Sequence, residues 1–382
     1  MRILHAMECT IGGTRRHLVD VARGQLARGH QVALAVSCER EPRFREDLAR
    51  LTAEGASVFE IPMVRAISPR ADARHQRELA RVLGTWRPEV VHTHGSKAGA
   101  LGRMASLLSG VGVRIHTPHA FAFLFAAEFS AARRALFRQI EGFLAQGTAR
   151  IVAVSEGEGE TFRASGVVPI EKVRVVRNGI DPAPWLAARP IERARHGFRA
   201  EAPLVVVAGL LHVAKGQDLA LEALARPELA GVELALVGDG PMRAELEHKL
   251  RELGLEGRAR LIGWSDDVPG WMAASDVVLV PSRWEALPYV VLEAMASSRA
   301  VVATRVDGSR ELVADGVQGF LCDVGDARAI AAGVSRALAI GPAGRERLGR
   351  AGRARVLELG TAERMVDELL RVYEEALCGS CT

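Results

Sequence analysis

Along the first half of the chain, short apolar runs rich in β-branched residues alternate with longer stretches of mixed polarity. The runs at 2–6, 31–37, 57–61, 90–92, 113–116, 151–155 and 173–176 read as strands. Segments of helix length lie between several of them, such as 14–28, 75–86 and 97–108. Alternating strand and helix predicts a parallel sheet covered on both faces. A turn-rich stretch, Asn178-Gly179-Ile180-Asp181-Pro182-Ala183-Pro184, then reads as a linker. After it the pattern restarts, with strands at 204–208, 232–237, 260–263, 277–281, 300–304 and 319–322 and helices at 217–224, 241–253 and 288–297. A long helix at about 361–377 closes the chain. The reading is α/β: two Rossmann-like doubly wound domains facing a central cleft, with ligands at the carboxyl ends of the strands.

Length fits this picture, since 382 residues suggest two or three domains. With 48% hydrophobic and 25% charged residues, the composition excludes disordered and low-complexity classes. The formal charge of +4 suits an acidic ligand or an anionic surface and gives no argument for nucleic acid. Five cysteines, widely spaced, make no disulfide framework and point to a reducing compartment. Cys378 and Cys381 form a C-x-x-C at the chain end with no second pair or histidine cluster, so it carries no metal or redox reading. No signal peptide is evident in MRILHAME, and no apolar run reaches 18 residues. The expectation is a cytoplasmic protein.

The strongest local chemistry lies at Pro281-Ser-Arg-Trp-Glu285-Ala-Leu-Pro288-Tyr-Val-Val-Leu-Glu293. An apolar strand enters a short loop and then a helix, with Pro288 suited to the first helical position. The amides of Tyr289 and Val290 then make an anion site fit for a diphosphate. Glu285 and Glu293 flank it as acceptors for sugar hydroxyls; equally, they read as a dipole-favoured loop carboxylate and a solvated helical one. Lys215-Gly216 follows strand 204–208 and precedes a helix. A cation is disfavoured at a helix start, which favours a phosphate-binding lysine over a surface one. Gly12-Gly13 follows the first strand without completing G-x-G-x-x-G, which disfavours a nicotinamide enzyme. His119, in His116-Thr-Pro-His119-Ala120, sits past a strand end, where it is either structural or a donor to a sugar hydroxyl. His92 and His94 alternate on one strand, but no third metal ligand lies near them in sequence. In segment 131–146, Leu136, Ile140, Phe143 and Leu144 share one face, Arg134 and Arg138 lie opposite, and Arg133 is at the edge. This is a core-facing helix or one resting on anionic lipid.

Taken together, these segments resemble the retaining glycosyltransferases of family 4, which have the GT-B fold. The resemblance runs almost the whole length. It rests on GGTRRHLVDVARG, VVHTHGSKAGALGR, HTPHAFAF, VRVVRNGID, the loop ending Lys215-Gly216, VGDGP, GWSDDVPGWMAASDVVLVPS and the E-x7-E spacing of Glu285 and Glu293. It implies transfer of a sugar from a nucleotide diphosphate sugar, UDP being the expected nucleotide, to an acceptor hydroxyl on a glycan or lipid-linked glycan of envelope or exopolysaccharide assembly. It implies Glu293 on the ribose, Glu285 on the donor sugar, and Lys215 on the diphosphate with amides of Gly13, Leu287, Tyr289 and Val290. Gly12 belongs to the same turn, the base packs between Gly263 and Val268, and His119 lies near the donor sugar. Catalysis would rest on His119, Glu285 and Lys215 without metal or cofactor. The domains implied are 1–178, rejoined by a final helix at about 361–382, and 179–360. Peripheral contact with the inner face of an anionic membrane fits helix 131–146, and no nucleic-acid partner is expected. Two other readings are a non-catalytic nucleotide-sugar-binding partner and a GT-B nucleotide-sugar 2-epimerase. The sequence departs from the family where an arginine usually precedes the lysine by five positions: here it is Leu210, with Arg283 or Arg305 as candidate substitutes. A lost charge-assisted pair is worth about 1.5–3 kcal/mol. Asp307-Gly308 and Ala120 replace usual glycines.

Overall fold

The first strand, β1 (Arg2–Met7), buries every side chain after Arg2. Continuous burial of this kind marks a strand covered on both faces, as parallel sheets require. The computed structural model describes residues 1–124 and 129–379. By internal contacts it divides into two units, Met1–Asn178 with Ala362–Thr382, and Gly179–Thr361.

The first unit holds β1, β2 (Gln31–Val36), β3 (Ser57–Glu60), β4 (Val90–His94), β5 (Val113–Thr117), β6 (Arg150–Ala153) and β7 (Val173–Val175). They form one parallel sheet in the order β3-β2-β1-β4-β5-β6-β7. The register sets His5 of β1 beside His92 of β4, and Met7 beside His94. Helix Ala362–Cys378 packs Val366, Leu369, Leu370 and Tyr373 against Ile3, Val90, Ile115 and Val152. Gly24 admits this helix: a Cβ there would lie 2.6 Å from Val366 Cγ2.

The second unit holds β8 (Leu204–Ala208), β9 (Glu233–Val237), β10 (Ala259–Gly263), β11 (Val277–Val280), β12 (Ala300–Thr304) and β13 (Gly319–Cys322). They form a parallel sheet in the order β10-β9-β8-β11-β12-β13. In each sheet the order reverses beside the first strand of the unit, between β1 and β4 and between β8 and β11. A doubly wound sheet leaves a crevice at such a point, beyond the carboxyl ends of its strands.

The strands lie where the apolar runs place them, to within two residues at each end. Two helical expectations change. Pro288 caps helix Tyr289–Ala296 from outside, with extended ψ of 116°, so the helix starts one residue later. Helix Ala131–Gln146 does not turn its apolar face inward: Leu136, Ile140 and Phe143 are 47%, 39% and 60% exposed. Its buried side carries Glu141, Leu144 and Ala145. Glu141 there makes a bidentate pair, 2.7 Å on each arm, with the fully buried Arg103 of helix Ser96–Ser109. A buried guanidinium requires such a partner, and this requirement decides which face goes in. Of the C-x-x-C pair, Cys378 is an exposed free thiol and Cys381 lies outside the described residues.

Candidate functional site

In the second unit the loops beyond β8 and β11 meet at the reversal point. The loop after β8 turns through a 3-10 segment, Val213–Lys215, capped by His212 Nδ1, which accepts the Ala214 amide at 3.2 Å. Gly216 ends this turn at φ +68°, and a Cβ there would sit 2.0 Å from the Pro281 carbonyl oxygen. Only glycine satisfies both conditions. This close approach fixes Lys215 beside the loop after β11, where its Nζ pairs with the Glu285 carboxylate. Glu285 also accepts from Ser282 Oγ at 3.1 Å. Two candidate residues 70 positions apart thus form one unit of charge, each partly exposed at 28% and 15%.

The rest of that loop leads into helix Tyr289–Ala296. Leu287 is buried, Tyr289 and Val290 form the helix start, and Glu293 lies one turn further on. The positive end of the helix dipole therefore adjoins the Lys215–Glu285 pair. Gly308 presses on the loop from the other side, because a Cβ there would lie 2.3 Å from the Ala286 carbonyl oxygen. Asp307, in place of the usual glycine, is exposed at the start of helix Asp307–Leu312.

The glycines of VGDGP have an equally physical cause. A Cβ on Gly238 would lie 2.0 Å from the Gly209 carbonyl oxygen, and one on Gly240 2.5 Å from that of Leu211. The amide of Leu211 bonds Asp239 O, and that of Gly238 bonds Gly263 O. Backbone contacts thus join the carboxyl ends of β8, β9 and β10. Gly263 takes φ +85° at the end of β10, and Val268 opens helix Val268–Ala274, which Asp267 caps by accepting the Gly270 amide at 2.8 Å.

Neither proposed substitute for the missing arginine is turned to that task. Arg283 forms a bidentate pair with Asp218, at 2.8 and 2.6 Å, and bonds Val213 O. It braces the lysine loop from behind. Arg305 lies 3.7 Å from Asp323 and bonds Leu321 O. Leu210 itself is partly exposed, and its carbonyl accepts from Gln217 Nε2 at 2.9 Å.

In the first unit the reversal point is lined by histidine. Gly12 takes φ +54° where helix Gly12–Ala27 begins, and Gly12 and Gly13 are exposed. His17 of that helix, His5 of β1, His92 and His94 of β4, and His119 beyond β5 form one cluster. His5 Nε2 bonds Gln25 Oε1 at 2.8 Å, and His5 Nδ1 meets His94 Nε2 at 3.0 Å. His94 Nδ1 meets His119 Nε2 at 3.3 Å. His92 bonds Tyr373 Oη at 2.6 Å and Thr117 Oγ1 at 2.8 Å. His17 Nδ1 bonds Asn178 Oδ1 at 3.0 Å. The expectation that His92 and His94 lack further ligands is therefore corrected: sheet register and the loop after β5 bring three more histidines to them.

Burial holds these rings in the neutral form. It lowers the pKa of His5 and His17 to about 4 and those of His92, His94 and His119 well below the ordinary value, and neighbouring histidines lower all but that of His5 further. His119 and Ala120 both take left-handed backbone, at φ +50° and +71°. Glu158, which sequence reasoning missed, holds them there by accepting the amides of Ala120 and Val154, each at 2.7 Å. Burial raises its pKa to about 7, against the lowering effect of the two amides.

Two parallel sheets of Rossmann order, each with polar groups gathered at its reversal point, define a two-domain nucleotide-binding class. Residues 188–355 match the family model for glycosyl transferases group 1, and residues 12–179 that for a glycosyl transferase 4-like domain. The chain is 28% identical over 282 residues to the UDP-Gal:alpha-D-GlcNAc-diphosphoundecaprenol alpha-1,3-galactosyltransferase of Escherichia coli, covering 72% of each. It is 31% identical over 259 residues to the alpha-maltose-1-phosphate synthase of Mycolicibacterium smegmatis, covering 64% of this chain and 67% of that one. The structure of Anabaena HepE in complex with UDP and glucose matches at TM-score 0.81 and 22% identity, over 98% of this chain and 100% of the other; this likeness establishes the fold as GT-B. The chain belongs to the group 1, family 4 glycosyltransferases, and its activity is glycosyl transfer.

Proposed function

We propose that the second unit binds a uridine diphosphate sugar and that the enzyme transfers the sugar, with retention, to a hydroxyl of a lipid-linked glycan in envelope or exopolysaccharide assembly. The observation that carries this is the Lys215–Glu285 pair at the β8/β11 reversal, beside the start of helix Tyr289–Ala296. A cation and a helix end take the diphosphate; a carboxylate at their side takes sugar hydroxyls. Glu293 is assigned to the ribose, the amides of Leu287, Tyr289 and Val290 to phosphate oxygens, and the surface between Gly263 and Val268 to the base. Gly12 and Gly13 are assigned to the donor as well, with the Gly13 amide on the diphosphate and His119 near the donor sugar, while the rest of the first unit is assigned to the acceptor. The E. coli relative's name supplies both the UDP-sugar and the lipid diphosphate acceptor.

Transfer then proceeds at one face of the anomeric carbon. The bond from that carbon to the diphosphate oxygen breaks, the acceptor oxygen bonds from the same side, and its proton passes to the departing oxygen. Lys215 and the helix end neutralise the leaving group, so this step is assigned no metal and no cofactor.

We also assign peripheral contact with the inner, anionic face of the cell membrane to helix Ala131–Gln146. Its exposed Leu136, Ile140 and Phe143 share one face with exposed Arg133 at the edge, the composition of an interfacial helix. No helix among the described residues is long and apolar enough to cross a membrane.

Thermal unfolding with UDP, GDP, ADP and UDP-sugars tests the donor. At about 100 times its Kd a ligand adds roughly 2.7 kcal/mol, or about 2–4 °C of midpoint per kcal/mol. UDP and one UDP-sugar should stabilise; equal silence for all uridine ligands refutes the assignment. Proton NMR of the product reads retention directly. Cosedimentation with anionic vesicles, lost in Phe143→Glu, tests the membrane contact.

A further inference from the structure

The histidine cluster divides into two groups with different chemistry. One nitrogen from each of His5, His92 and His94 falls within 4.8 Å of the others, and the same holds for His17, His94 and His119. In the inner group every ring nitrogen of His5 and His92 has a partner: Gln25 and His94 for the first, Tyr373 and Thr117 for the second. That group is a satisfied hydrogen-bond network. The outer group is not.

Proton placement shows what is left over. Gln25 Oε1 accepts, so His5 Nε2 carries its proton and His5 Nδ1 is a lone pair. His94 Nε2 then donates to His5 Nδ1, and His119 Nε2 donates to His94 Nδ1. His17 Nδ1 donates to Asn178 Oδ1, which makes His17 Nε2 a lone pair. That atom is buried, in a residue only 2% exposed, and among the described residues it has no hydrogen-bond partner. An orphaned acceptor inside a protein is costly, and its ring stands edge-on to His119, with centroids 4.9 Å apart.

We propose that His17, His94 and His119 form a three-histidine site for a divalent cation of the zinc class, with one coordination position left open. The ligand atoms are His17 Nε2, His94 Nδ1 and His119 Nε2. Tetrahedral zinc with bonds of about 2.0–2.1 Å sets ligand nitrogens about 3.3–3.4 Å apart. The His94 Nδ1 to His119 Nε2 separation is 3.3 Å, long for a hydrogen bond between rings and right for two ligands of one ion. One ring nitrogen of His17 lies within 4.8 Å of a nitrogen of each of the other two rings, so a ring rotation closes the third bond. On binding, the His119 proton leaves Nε2 for Nδ1, and all three imidazoles stay neutral.

The outer shell is also that of a metal site. Ligating histidines usually anchor their second nitrogen. Here His17 is anchored by Asn178, and His94 by His5 and, through it, Gln25. The left-handed backbone at His119 and Ala120 brings the third ligand in from the loop beyond β5, held by Glu158. The site sits at the β1/β4 reversal of the first unit, whereas Lys215 and helix Tyr289–Ala296, to which the leaving group is assigned, belong to the second.

Titration of chelator-stripped protein with Co2+ and then Zn2+ tests this. One Co2+ per chain should bind with the visible absorption of a tetrahedral, nitrogen-ligated ion, and Zn2+ should displace it. His17→Ala should weaken binding at least 100-fold. His119→Asn, chosen because asparagine accepts left-handed backbone, should do the same with the fold kept by circular dichroism. Asn178→Ala should cost about 10–100-fold through the outer shell, while His248→Ala changes nothing. The proposal is overturned if folded wild-type protein binds no Co2+ saturably, or if both ligand variants bind as wild type. It is also overturned if the spectrum shows thiolate charge transfer that Cys378→Ser removes, which would place the ion at the chain end.

Discussion

Replacing either partner of the Lys215–Glu285 pair should move nucleotide affinity in opposite directions. In the free protein the carboxylate partly neutralises the lysine, and both side chains are less than a third exposed. An arriving diphosphate competes with that carboxylate for the ammonium group and is repelled by it. In Glu285→Gln the side chain still accepts from Ser282 Oγ, so its position is kept, but the competing charge is gone. A partly solvated pair is worth about 0.2–1 kcal/mol, which converts to UDP binding roughly 1.5–5-fold tighter. Lys215→Met removes the cation and leaves Glu285 facing the phosphates. The lost charge-assisted contact, about 1.5–3 kcal/mol, should weaken UDP roughly 10–150-fold. Uridine, with no phosphate, should bind both variants as it binds wild type. Transfer should nevertheless fall in Glu285→Gln, because the sugar loses its carboxylate. Isothermal titration with UDP and uridine reads the affinities, and steady-state transfer reads the rest. UDP weakened alike by the two changes, or uridine weakened by either, would refute the argument that the pair belongs to the diphosphate and sugar.

Three further outcomes follow from geometry. Gly216→Ala places a Cβ 2.0 Å from the Pro281 carbonyl oxygen at φ +68°, so the midpoint should fall by several degrees for a cost of about 1–3 kcal/mol; an unchanged Tm by calorimetry contradicts it. Glu141→Ala strands the buried Arg103 guanidinium and should cost about 3–5 kcal/mol in urea unfolding, whereas Arg103→Met with Glu141→Leu should restore most of it; equal losses would dismiss the pair as the cause. Glu158 titrates near 4.5 unfolded and about 7 folded, so the folded state holds its proton more tightly. Its contribution is fully present below pH 4.5 and lost as pH rises to 7, by roughly 3 kcal/mol. Glu158→Gln should flatten that stretch of the stability curve, and an unaltered slope counts against it.

The strands were legible because a strand buried on both faces needs an unbroken apolar run, which few other elements show. Helices Phe44–Ala53 and Glu156–Ala164 were not read, being short and mostly polar between clearer signals. The loop from Pro281 to Glu293 was legible as a strand feeding a helix with carboxylates at set spacing. Its ion pair with Lys215 was not, because 70 residues separate the partners and only the β8–β11 neighbourhood joins them. The same limit hid the histidine cluster: His92 and His94 share a face by alternation, but His5 reaches them through sheet register and His119 through a left-handed turn. Helix Ala131–Gln146 misled for another reason. Periodicity identifies the apolar stripe, yet a charged pair took the inward face.

The chain order of the units governs how the protein is made. The second unit is wholly inserted in the first, which lacks helix Ala362–Cys378 until the insert has been made. At about 5–20 residues per second, the ribosome spends roughly 10–40 s on the insert. Throughout that interval Ile3, Val90, Ile115 and Val152 await the side chains that cover them, and His92 awaits Tyr373. A nascent chain halted at Thr361 would carry a finished second unit and a first one with an open apolar flank. That flank stays uncovered until Val366, Leu369, Leu370 and Tyr373 have been made.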